Sequence, residues 1–113
     1  MQSDFIIEND LGILQLKGDF NVVKVDDFRQ KFSIWFKANS GVKNVVVDMS
    51  EVTMVDSAGL GVLIAIIKQV TDRGGEMNLC GLMKRVRMVF EITRTHKIFS
   101  IYDDLGEAKQ AFK

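Results

Sequence analysis

The stretch MVDSAGLG places a serine, Ser57, between an acidic residue and two glycines. An apolar run follows directly at residues 62–67, which predicts a helix that begins near Ser57. Gly59 and Gly61 each cost about 1 kcal/mol relative to alanine inside a helix. A break with local preference of this kind often marks a functional site. The simplest alternative is that Ser57 or Asp56 only caps the helix.

Other residue patterns that could support chemistry are incomplete. His96 is the single histidine and lies far along the chain from Ser57, so a nucleophile–histidine pair has little support. Gly59 and Gly61 match the first two glycines of a dinucleotide fingerprint, but Ile64 stands where the third is required. No metal-ligand spacing of Cys, His, Asp and Glu is present, and we expect no metal and no cofactor. Asp48 could occupy the position of an aspartyl phosphoacceptor, although no proline follows it and no acidic pair ends the first strand.

Composition excludes several further classes. Fifteen basic and fifteen acidic residues cancel, which argues against a nucleic-acid partner and against direct membrane contact. The one basic cluster, at Lys84, Arg85 and Arg87, is interpreted as a solvated helix face. The single cysteine, Cys80, fits a reduced cytoplasmic compartment. The N-terminus has no signal-peptide pattern, and the longest apolar run is too short to cross a bilayer.

The elements that would position Ser57 follow from periodicity and glycine punctuation. Residues 4–8 and 11–17 predict two strands of a hairpin that turns at Asn9 and Asp10. A helix from Val25 ends at Ser40 and Gly41, and residues 43–49 form a strand buried on both faces. The first helix has one apolar stripe: Val25, Phe28, Phe32, Trp35 and Phe36.

The second half of the chain continues the alternation. A helix over about residues 57–73 stops at Gly74 and Gly75, and a strand follows around Met77 and Leu79. The remaining elements are a helix over about residues 84–93, a strand at 98–102 and a helix opened by a capping box at 104–107. One α/β domain over residues 1–113 is predicted, with a mostly parallel central sheet, an N-terminal antiparallel hairpin and helices covering the sheet.

In such a sheet, functional loops lie beyond the carboxyl ends of the strands. Three predicted loops meet there, at residues 18–21, 50–56 and 81–83. Ser57 follows the middle loop, at the entrance to its helix.

The segment VVVDMSEVTMVDSAGLGVLIAIIKQVTDRGGEMNLCG, residues 45–81, resembles the central part of STAS domains, and most closely the free-standing bacterial anti-sigma factor antagonists. The resemblance extends along nearly the whole chain: GDFN stands where the family usually has Gly-Glu-Leu-Asp, and VFEITRTHKIFSIY resembles the late helix-to-strand segment. It implies a non-enzymatic regulator with one STAS domain. It also implies that Ser57 is phosphorylated by a partner that is both anti-sigma factor and serine kinase, and that the unphosphorylated form binds this partner and frees the sigma factor. A serine phosphatase would reset the switch.

Two positions depart from the family pattern. Asn21 replaces the usual acid, which keeps a hydrogen-bonding side chain in that loop and removes its charge. Ala58 stands where many relatives have a second Ser or Thr, which leaves Ser57 as the candidate phosphosite, with Thr53 and Ser50 as distant alternatives.

The resemblance suggests a role for the small residues. Ala58, Gly59 and Gly61 would keep a kinase's approach to the serine clear, whereas the alternative is that the glycines permit close packing of the helix on the sheet. We expect these residues to form a partner-binding surface that also includes other nearby positions: Asp19, Asn21, Asp56, Ser57, Val62 and Ile66.

The second helix is apolar on two sides. Its expected core stripe is Leu60, Leu63, Ile64, Ile67 and Val70. Val62 and Ile66 are left over near the opposite side, where they would contact another helix of the same domain or the partner protein.

We therefore expect a cytoplasmic anti-sigma factor antagonist that is a monomer when free. The alternative within the same fold is an accessory subunit of a membrane transporter or a signalling complex. The alternative from another class is a small nucleotide-binding enzyme.

Overall fold

The computed structural model describes residues 2–21 and 23–112, and these form one five-stranded sheet with four α-helices. The strands are β1 (Gln2–Glu8), β2 (Leu11–Phe20), β3 (Asn44–Val55), β4 (Met77–Cys80) and β5 (Ser100–Tyr102). The helices are α1 (Val25–Ala38), α2 (Ser57–Asp72), α3 (Lys84–Ile92) and α4 (Leu105–Gln110), and a short 3₁₀ helix spans Thr95–Lys97.

The strands are ordered β1-β2-β3-β4-β5, so every strand lies beside its neighbour in sequence. β1 pairs with β2 antiparallel, and all other pairs are parallel. The predicted hairpin, mostly parallel sheet and alternating helices are confirmed. In the described part of the chain, no helix is long and apolar enough to span a membrane.

The two faces of the sheet carry cores of different size. Adjacent valines of β3 point to opposite faces: Val45 and Val47 lie in the main core, and Val46 lies in a smaller one. Helices α1, α2 and α3 cover the main core, to which α1 contributes its predicted stripe, with Trp35 partly buried. Helix α4 covers the smaller core through Ala108.

Strands β2 and β3 run further than their sequence predicts. We expected loops at residues 18–21 and 50–56, but pairing continues to Phe20 and Val55 through two register shifts, each of which leaves one extra residue on β3. The polar residues that suggested loops lie on this extension, where Ser50 and Glu51 are exposed. Strict alternation of buried and exposed residues is lost there, because the extra residues of β3 change which side chains face the core: Val52 and Val55, three residues apart, are both buried in it. The ladder therefore reaches the residue before Asp56.

The last helix begins as predicted. The Asp104 side chain accepts a hydrogen bond from the Glu107 N–H at 2.8 Å, which satisfies one unpaired donor of the first turn of α4. The preceding strand is shorter than predicted, because the 3₁₀ helix precedes it and pairing starts only at Ser100.

Candidate functional site

Ser57 is the first residue of α2 and is exposed. Asp56, in extended conformation, is the N-cap residue: its carboxylate accepts the Gly59 N–H at 2.8 Å. No described residue makes a hydrogen bond to the Ser57 hydroxyl. The capping role that the sequence left open between these two residues thus belongs to Asp56. Ser57 presents an unbonded hydroxyl to solvent.

The end of β2 holds the start of α2 in place. The carbonyl oxygen of Phe20 accepts the Asp56 N–H at 3.3 Å. Gly59 is buried against the same residue, because a Cβ there would overlap the Phe20 carbonyl oxygen and lie 2.7 Å from its ring. Of the two interpretations of the glycines, close packing is correct for Gly59. Phe20 is fully buried, so this contact fixes where the helix, and with it Ser57, begins.

Gly61 has a different environment. It is exposed, and a Cβ added there would meet nothing within 4 Å. A side chain at this position would point away from the domain. The open surface around Gly61 is compatible with the close approach of another protein, which is the alternative that the sequence offered.

The side chains of Val62 and Ile66 do not reach this open surface. They are 7% and 0% exposed and belong to the main core, so the prediction that they contact a partner is wrong. Ile64, assigned to the core by its spacing, is instead 36% exposed. The physical reason is that α2 packs against α1 as well as the sheet, so its buried face is wider and rotated from the predicted stripe.

The exposed face of α2 therefore keeps Ser57 and Gly61 from the predicted surface and has Ile64 and Lys68 in place of Val62 and Ile66. The residues of this face are spaced at i, i+4, i+7 and i+11 from the serine, which places them on one side of a helix. This Ser57 face consists of Ser57, Gly61, Ile64 and Lys68. Met54, 55% exposed, lies just before it at the end of β3. Counting helical spacing from Ser57, rather than from the apolar residues, would have identified Ile64 and Lys68.

Asp19 and Asn21 lie near the site, but the side chains of both already accept hydrogen bonds within the domain. The Thr53 hydroxyl donates to Asp19 Oδ1 at 2.6 Å, which joins the ends of β2 and β3. The Asn21 side chain accepts the Val23 N–H at 3.1 Å and so helps form the turn into α1. An aspartate at this position could accept the same bond, so the departure from the family pattern removes a charge and keeps the turn.

Ala58 is half-buried and packs against the main core, beside the exposed serine. Asp48 does not end its strand, because β3 continues to Val55, and its carboxylate accepts the Ser50 N–H. The position expected for an aspartyl phosphoacceptor at a strand end is therefore not occupied by Asp48.

The remaining candidates from the sequence are the basic cluster, a metal site and Cys80. Arg87 lies 3.8 Å from Asp103, while Lys84 and Arg85 are exposed. Among the described residues, no group of three His, Cys, Asp or Glu side chains could hold a metal ion. Burial, and then the negative charges of Asp48 and Asp104, raise the pKa of Cys80 to about 12, so its thiol stays protonated at neutral pH.

Comparison with known proteins places these features in a family. A family model described as the STAS domain matches residues 3–108. A Thermotoga neapolitana protein with the provisional name anti-sigma factor antagonist TM1081 homolog is 32% identical over 102 residues, which cover 90% of this chain and 89% of that protein.

Solved structures agree. The crystal structure of a Thermotoga maritima protein with the same provisional function superimposes with a TM-score of 0.85 at 26% identity, covering 97% of this chain and 93% of that one. The anti-sigma factor antagonist SpoIIAA, a Bacillus cell fate determinant, shares the fold at 17% identity in both its unphosphorylated and its phosphorylated form, each with a TM-score of 0.72. The match to the unphosphorylated form covers 94% of this chain and 92% of the SpoIIAA chain. The match to the phosphorylated form covers 96% of this chain and 97% of the SpoIIAA chain.

Proposed function

The chain belongs to the STAS domain family, and from this premise we propose that it is an anti-sigma factor antagonist switched by phosphorylation of Ser57. In the unphosphorylated state it binds a partner that is both anti-sigma factor and serine kinase, and this releases the sigma factor. Phosphate transfer to Ser57 ends the complex, and a serine phosphatase restores it. The protein itself catalyses no reaction, and its place of action is the cytoplasm, where a sigma factor works.

The observation that carries this proposal is the unbonded, exposed hydroxyl of Ser57. Phosphoryl transfer requires the hydroxyl oxygen to approach the terminal phosphorus of a nucleotide closely and in line. Asp56 performs the capping function, so the hydroxyl can react without loss of the helix cap. Thr53 offers a poorer acceptor, because its hydroxyl donates to Asp19.

The surface beside Ser57 suits a protein partner. Met54 and Ile64 expose apolar side chains at 55% and 36%, and Gly61 between them lets a partner approach the helix backbone. Apolar side chains grouped around a reactive residue are a common feature of interaction sites. The contact surface that we propose is therefore the Ser57 face with Met54, in place of Val62 and Ile66.

Phosphorylation of Ser57 lowers the affinity of the complex and does not destabilise the fold. A phosphate on Ser57 adds about 1.5 to 2 negative charges near neutral pH. It would lie at the N-terminus of α2, where the helix dipole and free N–H groups favour an anion. Its charge and volume occupy the surface that the partner must reach, next to the Asp56 carboxylate. The free energy cost thus falls on binding.

The first test identifies the partner and the phosphosite together. Affinity capture with the wild-type chain, followed by mass spectrometry, identifies the kinase, which is then purified and supplied with labelled ATP. We expect wild-type protein to accept one phosphate and Ser57→Ala to accept none. Ser50→Ala is the matched control, because Ser50 is also exposed and should leave labelling unchanged. Phosphate on Ser50 or Thr53 in the wild-type chain would contradict the proposal.

A further inference from the structure

The two edges of the sheet differ in how they are protected. β5 ends one edge and spans only three residues, Ser100–Tyr102, so it offers little backbone for pairing. β1 ends the other edge and spans seven residues, Gln2–Glu8. A long edge strand can pair with another chain unless it is blunted by proline, a bulge, a covering segment or charged side chains that would face like charges. β1 contains no proline, its register with β2 is uninterrupted, and its charged residues are Asp4 and Glu8.

The free backbone groups of β1 lie on alternate residues. Glu8 pairs with Leu11 across a two-residue turn, and such a closing pair exchanges hydrogen bonds. The even-numbered residues of β1 therefore bond to β2, and the N–H and C=O groups of Ser3, Phe5 and Ile7 point to the outer edge. No described residue forms a hydrogen bond with these groups on that side.

Apolar side chains flank the free groups. Ile6 is 41% exposed on the face that carries α4, and Ile7 is 43% exposed on the face that carries α1. An edge with unpaired backbone and exposed isoleucines on both faces is complementary to a strand of the same kind.

We propose that β1 pairs antiparallel with β1 of a second copy of this chain, with Phe5 of both copies at a two-fold axis. The dimer would join two five-stranded sheets into one continuous sheet. The proposed interface does not include the Ser57 face. The free protein would then be a dimer, and not the monomer that the sequence led us to expect.

Charge and symmetry select the register. A two-fold axis perpendicular to the sheet keeps each side chain on its own face, so residues of equal parity must pair. With Phe5 on the axis, Asp4 lies opposite Ile6 and Gln2 opposite Glu8, and all seven residues are paired. Moving the axis to Ile6 places Asp4 opposite Glu8, and moving it to Asp4 places two aspartates together, both unfavourable. Among the registers that pair at least five residues of β1, the Phe5 register is the one free of facing acids.

The same symmetry separates the two Ser57 sites. The copies run in opposite directions across the interface, so the carboxyl ends of their parallel strands lie at opposite ends of the joined sheet. Each Ser57 face stays open to its own partner. Dimerisation is therefore independent of phosphorylation, and Ser57→Ala should dimerise like the wild type even if the proposed switch is wrong.

Sedimentation equilibrium of the purified chain tests the proposal, with two substitutions of opposite charge at one exposed position. Ile6→Glu places acids opposite Asp4 twice per dimer, and should weaken association by about tenfold or more. Ile6→Lys places a cation there instead and should retain the dimer. Circular dichroism verifies that both variants fold, as expected from the exposure of Ile6.

Disulfide formation tests the register. Directly opposite residues of a non-hydrogen-bonded pair have Cα atoms about 4.5 Å apart, within disulfide reach. Asp4→Cys combined with Ile6→Cys should give an oxidised covalent dimer, whereas Ile6→Cys alone should not, because the two copies of residue 6 are diagonal neighbours. A wild-type chain that sediments only as a monomer, equal loss of the dimer in Ile6→Glu and Ile6→Lys, or cross-linking by Ile6→Cys alone would overturn the proposal.

Discussion

At the residue scale, the two glycines after Ser57 have unrelated roles. Gly59 is in contact with the Phe20 backbone and has no room for a side chain. Gly61 faces open space, so packing does not require a glycine at this position. Glycine there lowers the stability of the helix. A residue that weakens a helix without a structural benefit is expected to serve an interaction.

Alanine at each glycine separates these roles. Gly59→Ala should destabilise the domain by several kcal/mol, because the new Cβ displaces α2 from the end of β2. Gly61→Ala should raise the free energy of unfolding by up to about 1 kcal/mol. Urea denaturation measures both. Equal effects at the two positions would contradict the environments described here.

Cys80 provides a pH-dependent prediction. The ordinary pKa of the thiol is 9.0, and in the folded protein it is about 12. The neutral thiol therefore favours folding fully below pH 9, and this contribution is lost as the pH rises toward 12. Between these values, wild-type protein should lose stability faster than Cys80→Ala by about 1 kcal/mol per pH unit. Parallel pH dependence of the two proteins in chemical denaturation would show that the pKa of the thiol is not raised in the folded protein.

At the element scale, α2 combines a buried face and an interaction face in one helix. Ile64 and Ile66 are two residues apart and chemically identical, but Ile64 is 36% exposed and Ile66 is fully buried. They form a matched pair for mutagenesis.

Glutamate at each position should give opposite outcomes. Ile64→Glu should leave the thermal midpoint nearly unchanged and weaken binding of the kinase by tenfold or more, about 1.4 kcal/mol, because it charges the Ser57 face. Ile66→Glu should prevent folding, since it buries an unpaired carboxylate. Thermal denaturation and titration with the kinase measure the two effects. Normal kinase binding by Ile64→Glu would show that the Ser57 face is not part of the interface.

The same helix shows where sequence reasoning fails. α1 is apolar on one stripe, so its core residues Phe28, Phe32 and Phe36 were predictable. α2 is apolar on nearly all sides, and periodicity alone cannot say which side meets the sheet. The position of Gly59 against Phe20 sets that rotation, and this is a tertiary contact that no local pattern contains. The ends of β2 and β3 were missed for a related reason, because their pairing depends on the partner strand.

At the scale of the whole molecule, the sheet acts as a rigid support for one exposed residue. β3 ends directly before Asp56, and the end of β2 accepts a hydrogen bond from the Asp56 N–H at the start of α2. The Asp19–Thr53 hydrogen bond joins the two strand ends. The fold and the position of Ser57 were both predictable from the motif and the order of elements. The sequence could not predict which neighbours of Ser57 are exposed, because their exposure depends on how α2 packs against both α1 and the sheet.

The most direct test of the account compares the affinity of the purified kinase for the unmodified and the Ser57-phosphorylated chain by isothermal titration calorimetry, with a thermal melt of each form. We predict that phosphorylation weakens binding more than a hundredfold, about 3 kcal/mol, while the melting temperature changes by only a few degrees. Undiminished binding after phosphorylation, or a large loss of thermal stability, would contradict the claim that Ser57 switches the complex and leaves the fold intact.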